Sequence, residues 1–360
     1  MWRTESFGKG RVAEIMPRLF HANFHFETEL AGGTAPQSRG GSHGEPDRRG
    51  AWLAVARPGD MVVGPEGVPC VVGEVPAGGE PLAASLEPFR GCPGRQYEFV
   101  PWGWSRAATK AGRSHGCSVT APPLEVVERV NRRSFRATLE QELAIAPEGL
   151  CVARSFEEVS HAVARIVALR PPDEERRYDW VLKAEYGMAG REAVRGIGAL
   201  DDPRLAGWVA KRLARSGVVV VEPWLSSRME GSVHFDIPLN GPPVCLGVVG
   251  LTADATGTYR SSRVGDPSVE ARFASSVDVG GEVAARLQRL GYWGPLGLDV
   301  MEVCSGKSEA PGRIRPLQDL NARWTMGRLA WEWWRRQSQP STREWSPPTS
   351  WPPVVQGAGG

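Results

Sequence analysis

Hydrophobic and polar positions change period several times along the chain. "VVVVEPWL", "SVHFDIPL", "PVCLGVVGLT" and "GPLGLDVMEV" are short β-type runs bounded by Gly, Pro or Ser. "SFEEVSHAVARIVAL" and "PRLAGWVAKRLARSG" instead repeat apolar residues at helical spacing. The first of these has Ser155 placed as an N-cap with Glu158 three residues on, and the second ends at a glycine. One long helix is predicted over 123–145, punctuated by Pro122, Pro123 and Pro147, and another at about 280–290. Nearer the N-terminus, "AWLAVA", "MVVG" and "YEFVPWGWS" read as strands, the last feeding the helix "RAATKAGRSHG".

This alternation predicts an α+β or α/β protein in three parts. Residues 1–122 form a small α/β lobe, with a flexible loop over 31–50 where Gly, Ser, Pro and charge replace apolar periodicity. Residues 123–336 carry the strongest strand and helix signals. Residues 337–360 are Pro/Ser-rich and are expected to be a disordered tail. The Trp-rich stretch from Trp331 to Gln337 reads first as a packed terminal helix, with a homodimer contact as its other use.

Composition narrows the function classes. With 360 residues and 41% hydrophobic content the chain can build large cores. Its 43 basic and 41 acidic residues leave a formal charge of +2, so no basic field points to nucleic acid or to an anionic membrane. The 6 cysteines show no Cys-x-x-Cys pair or matching His spacing, which argues against a zinc knuckle or a redox dithiol. No apolar run approaches the ~20 residues of a membrane span, and a signal-peptide core is lacking, so a cytoplasmic protein is expected.

Candidate chemistry concentrates in four stretches. In "RPLQDLNARWTMG", Asp319, Asn321 and Arg323 alternate with apolar residues, and on a strand all three would share one face. Two oxygen-bearing side chains beside a guanidinium suit magnesium and the phosphate it neutralises, although a solvated strand edge makes the same pattern. Asp299, in the apolar strand "GPLGLDVMEV", is a carboxylate costly to bury unless paired or cation-bound, and it is the candidate to join Asp319 and Asn321. Lys183 lies in "WVLKAEYGMAGREAVRG", just ahead of a loop with Gly187, Gly190 and Gly196, where it would meet phosphate as a point charge or else snorkel from a strand edge. The spacing matches neither a P-loop nor a dinucleotide fingerprint. In "VVVVEPWLSSRMEG", the Pro223 carbonyl and the Leu225 N–H would suit an adenine edge at the strand end holding Glu222 and Trp224, and Glu230 would accept from ribose hydroxyls. A plain strand-to-turn transition is the alternative.

The order of these pieces resembles the ATP-grasp superfamily over about residues 125–330, best in "VLKAEYGMAGR", "VVVEPWL" and "LQDLNARWTMG". The resemblance implies two α+β subdomains clamping ATP, preceded by the small α/β lobe that holds much of the substrate site. It implies that Lys183 contacts the α- or β-phosphate, that Glu222 to Leu225 line the adenine and Glu230 the ribose. It further implies that Asp299, Asp319 and Asn321 bind Mg2+ or Mn2+, and that Arg323 steadies the transferred phosphate. The sequence departs from the pattern in three ways. Arg133 in "VNRRSF" stands where many members have a first phosphate-contacting lysine, Asp319 replaces the commoner glutamate, and the loop is poorer in glycine. The expected function is ATP-dependent joining of a small-molecule carboxylate to an amine. A phosphotransferase on the same clamp, or a nucleotide-binding module without turnover, are the alternatives. The cluster His21, Asn23, His25, Glu27 and Glu29 either faces substrate or lies on a solvated strand, its odd-numbered members sharing a face.

Overall fold

The computed structural model describes residues 16–33, 47–64, 67–74, 86–88, 96–169, 178–187, 192–254, 257–304, 312–337 and 341–351. Most of the expected loop over 31–50, Gly190 and the last residues of the tail lie outside them.

Three sheets organise these residues. The first is mixed, with strands β1 (Arg18–His21), β2 (Met61–Val63), β3 (Pro69–Val72), β4 (Leu86–Pro88) and β5 (Glu98–Pro101) in the order β4-β3-β2-β1-β5. β1 runs parallel to β2 and β5, while β3 is antiparallel to both its neighbours. The second sheet is antiparallel and small: β6 (Cys151–Ala153), β7 (Trp180–Ala184), β8 (Ala193–Gly196) and β9 (Val219–Pro223), in the order β6-β9-β7-β8. The third is larger: β10 (Ser227–Ile237), β11 (Val244–Ala253), β12 (Tyr259–Val264), β13 (Gly294–Val303), β14 (Arg313–Asn321) and β15 (Arg343–Trp345), in the order β14-β13-β10-β11-β12-β15. The helices are α1 (Phe26–Leu30), α2 (Arg106–Ser114), α3 (Leu124–Val130), α4 (Arg133–Glu142), α5 (Phe156–Ala168), α6 (Pro203–Ser216), α7 (Pro267–Arg272), α8 (Ala274–Arg289) and α9 (Met326–Arg335). Among the described residues no helix is long and apolar enough to cross a membrane. Two α+β units preceded by a small α/β lobe is the layout that the ATP-grasp resemblance implies.

Local chemistry explains the element ends. Ser155 accepts from the Glu158 N–H, and the Glu158 carboxylate accepts from the Arg154 N–H, closing a reciprocal cap on α5. Pro203 opens α6 behind the Asp202 cap, and Gly217 closes it at φ 73°, a conformation that costs glycine little. β9 is buried on both faces: Val159, Val163 and Val209 of α5 and α6 cover Val219 and Val221, while Ala137 of α4 and Leu150 cover Val220.

The structure corrects several element expectations. "AWLAVA" is not a strand but the latter part of a 3-10 turn, Arg49–Ala54, packed under α9 with Trp52 fully buried. The helix expected over 123–145 is broken into α3 and α4 at Asn131, whose amide donates to the Val127 carbonyl and whose side-chain oxygen accepts from the Ala322 N–H at 3.0 Å. That bond fixes the start of α4 to the end of β14. The helix expected at about 280–290 begins earlier, at Ala274, behind the fully buried Phe273, and Gly280 lets it lie close on the large sheet: a Cβ there would stand 2.5 Å from the Phe235 ring. Strand β14 ends at Asn321, so Arg323 lies in the following turn and not on the strand face. The odd-numbered residues 21–29 do not share one strand face either, because β1 stops at His21 and α1 begins at Phe26. Beyond 336, where a disordered tail was expected, β15 extends the large sheet through β12, anchored by Trp345 at 2% exposure.

Candidate functional site

β13 and β14 pair so that Asp299 faces Asp319 directly, and Asn321 stands opposite Gly297 on the same side of the sheet. Asn321 Nδ2 donates to Asp299 Oδ2 at 3.2 Å. On the next strand Ser232 is opposite Asp299 and Glu230 opposite Met301, which brings Glu230 to the same face. Burial pushes the Asp299 carboxyl up to about 7, the Asp319 charge and then Glu230 pushing in the same direction, against Arg323 and the Asn321 hydrogen bond. Two opposed carboxylates with this much unmet charge fit a hard divalent cation. Among the described residues no group of three or more His, Cys, Asp or Glu is placed to hold a metal ion, so a cation here would rest on the carboxylate pair and Asn321.

The cations come from β7, α4 and β14. Lys183 on β7 holds its ammonium 3.0 Å from Glu222 on β9, and 17% of its side chain is exposed. Burial lowers the pKa of Lys183, and Glu222, opposing this, favours the charged amine. Glu222 is also the centre of a buried network. It pairs with Arg136 on α4 and, at 2.9 Å, with Arg315 on β14, and these arginines share a second carboxylate, Glu140. Burial alone would raise Glu222, but Arg136, Lys183 and Arg315 hold it well below the carboxylate range. Asp319 contributes to the field at both Arg136 and Lys183, which ties the network to the carboxylate pair.

Arg133 lies one turn before Arg136, and its guanidinium is spent on backbone: it donates to the carbonyls of Ala184, Glu192 and Gly187. It braces the strand and loop following Lys183, and Arg136 is the α4 cation beside Lys183. Sequence reasoning missed Arg136, Glu140 and Arg315. The signal available was an Arg and a Glu four residues apart on one helix, but nothing local links them to a strand 175 residues away. Arg323, from its turn, bonds Glu27 of α1 through Nε at 2.7 Å and Nη2 at 2.6 Å, and lies over the Trp102 ring.

At the strand end, Trp224 N–H donates to the Asp179 carbonyl, and the Trp224 ring stacks under Arg195 and meets Tyr178 edge-on. Pro223 and Leu225 line a cavity of about 280 Å³ together with Ile166, Leu169, Val303 and Arg313. Val303 is four residues beyond Asp299 on β13, about 13 Å at strand rise. Between them lie the buried Met301 and Arg315, which pair across the two strands. The cavity, the cation network and the carboxylates therefore follow one another along one side of the β13–β14 hairpin, on the scale of an extended nucleoside triphosphate.

No protein-family model matches the chain, and a search of curated proteins gives no match. Solved structures give matches. N5-carboxyaminoimidazole synthetase from Staphylococcus aureus complexed with ADP is 10% identical, with a TM-score of 0.44 over 64% of this chain and 54% of that one. Biotin carboxylase from Campylobacter jejuni, in an ATP-type complex, is 12% identical with a TM-score of 0.46 over 68% of this chain and 56% of that one. The biotin carboxylase domain of 2-oxoglutarate carboxylase from Hydrogenobacter thermophilus, with MgADP and bicarbonate, is 12% identical with a TM-score of 0.45 over 66% and 52%. The chain thus spans about half the length of these structures, and the likeness is in the general course of the chain.

Proposed function

We propose that the chain is an ATP-dependent ligase, joining a carboxylate to an amine through an acyl phosphate on an ATP-grasp scaffold. The observation that carries this reading is the opposed pair Asp299 and Asp319, set on the sheet face whose field reaches Lys183 and Arg136 on the other subdomain.

Asp299, Asp319 and Asn321 would hold Mg2+ or Mn2+, which when bound supplies charge neutralisation and polarisation of the transferred phosphoryl group. The remaining work belongs to the chain. The cavity at Pro223 and Leu225 takes the base, with Glu230 on the ribose side. Lys183 offers an ammonium to the phosphates, and its orientation is set by Glu222. Arg136 and Arg315 hold Glu222 in place from two other elements, so the ammonium is preorganised and does not have to be recruited. Arg323, anchored by Glu27, stabilises the charge that develops when a substrate carboxylate oxygen attacks the terminal phosphorus and ADP leaves. The amine then attacks the acyl carbon, the bond from that carbon to the phosphate oxygen breaks, and the N–H proton lost on forming the amide leaves with the phosphate.

A second reading, nucleotide binding without turnover, draws on a specific observation: Arg133 is occupied by carbonyls, and Arg136 and Arg315 are each paired with two glutamates. A screen of amino acids and small carboxylic acids with MgATP, read by ADP release and product mass, separates the readings. An amide with stoichiometric ADP supports the ligase. A stable phosphoester selects a phosphotransferase, and ATP binding without ADP selects the non-catalytic module.

A further inference from the structure

A cavity of about 450 Å³ lies between the N-terminal lobe and the small subdomain, bounded by α1, the start of the loop after β7, α3 and the end of α6. From its lining we infer a binding site for a primary amine, the nucleophile of the proposed ligation; the inference rests on that reading for the role of the amine but not for its binding.

The argument is one of unmet bonding capacity. Two buried carboxylates line the cavity from different elements, Glu27 of α1 at 8% exposure and Glu185, just after β7, at 5%. Each uses one oxygen: Glu27 Oε1 accepts from Arg323, and Glu185 Oε1 from Ser134. The second oxygen of each, Glu27 Oε2 and Glu185 Oε2, is buried with no hydrogen-bond partner among the described residues. A buried carboxylate oxygen left without a donor is destabilising, and a small side-chain movement toward a ligand donor would relieve that cost. The arginines of the same wall are differently placed. Arg132 donates to the Tyr186 hydroxyl and stands 3.9 Å from Glu185 Oε1, Arg212 pairs with Glu192, and Arg215 donates to the Ala31 carbonyl. Arg212 Nε is the one unpartnered buried donor among them. The cavity therefore asks mainly for a compact donor with positive charge, which an ammonium with three N–H groups provides, and accepts one polar acceptor near Arg212. A cavity of this volume suits a molecule of amino-acid size.

Position agrees with this chemistry. Glu185 is two residues beyond Lys183, and Glu27 is bound by Arg323, so the cavity shares walls with the phosphate end of the proposed site. A primary amine held there lies next to the place where an acyl phosphate would form.

Calorimetric titration of the full chain without nucleotide tests the inference, using glycine, L-lysine, ethylamine and putrescine against N-acetylglycine and acetate. Saturable binding by at least one primary amine is expected, weakened roughly tenfold or more by N-acetylation and by Glu185→Gln, which keeps the Ser134 hydrogen bond but removes the charge. No saturable binding by any amine, or affinities unchanged by N-acetylation and by Glu185→Gln, would overturn it. ATP turnover is measured separately: amine binding without turnover overturns the ligase and leaves this site standing, whereas turnover with no amine binding overturns this site alone.

Discussion

Asp299 and Asp319 stand directly opposite each other on neighbouring antiparallel strands, and the side chain that donates to Asp299 is the amide of Asn321. Like charges so placed repel, and a cross-strand pair of this kind persists when something other than folding retains it. A divalent cation between them converts the repulsion into attraction. Asp319→Asn is therefore expected to raise the unfolding temperature without metal, by the equivalent of roughly 0.5–1 kcal/mol. It should also abolish the further rise that MgCl2 gives the wild type. Thermal unfolding of both proteins with and without MgCl2 checks this, and an equal Mg2+ response contradicts it.

Glu222→Gln leaves Arg136, Arg315 and Lys183 around a neutral amide in a buried setting. Breaking a buried ion pair from one side costs about 3–5 kcal/mol, and the shared contact to Glu140 softens this for the two arginines. Urea unfolding is expected to show a loss of about that size. A change below about 1 kcal/mol would mean that the network is not formed in solution.

His234 gives a pH dependence. Its ring is fully buried against Gly297 and Gly327, neither nitrogen has a hydrogen-bond partner among the described residues, and burial with the nearby Arg328 charge lowers its pKa to about 3. The folded-state value lies below the ordinary imidazole value of 6.5, so the stabilisation is complete above about 6.5 and is lost as the pH falls toward 3. His21, lowered to about 4 by burial and His115, acts with the same sign. Urea unfolding should show stability dropping by on the order of 3 kcal/mol from His234 alone between about pH 6.5 and 4. A variant with His234→Gln should show a shallower decline.

Truncation after residue 337 removes β15 and with it the cover over β12. Trp345 is 2% exposed, and Ser261 bonds Glu344 across the pair. The exposed β12 edge is expected to lower stability by about 2–4 kcal/mol and to promote concentration-dependent association, visible in light scattering. A truncated chain as stable and as dispersed as the full one would show that the strand contributes nothing.

What could be read in advance depended on the range of the interaction. Alternation within a strand is a local rule, so Asp319 and Asn321 could be assigned one face, and the apolar strand around Asp299 suggested the partner. Arg323 obeys no such rule because the strand ends at Asn321, and its place is set by Glu27, 296 residues earlier in the chain. Arg133 and Arg136 are equally plausible from the sequence. The break at Asn131, set by a bond to Ala322, decides that Arg136 reaches Glu222 while Arg133 turns to the loop carbonyls. Glu140 and Arg315 were illegible for the same reason: a buried ion pair between a helix and a distant strand leaves no periodic trace. "AWLAVA" has strand composition, yet the Trp52 ring packs edge-on against Trp102 and Trp324 from elsewhere, and tertiary packing overrides the local preference.

The central claim is that a divalent cation on Asp299 and Asp319 anchors a nucleoside triphosphate facing Lys183. Calorimetric titration of ATP into the wild type and into the double variant Asp299→Asn/Asp319→Asn, each with and without Mg2+, addresses it directly. The account predicts ATP binding by the wild type that strengthens at least about tenfold with Mg2+, and no Mg2+ enhancement in the double variant. Equal affinities in the two proteins, with or without the cation, would contradict it.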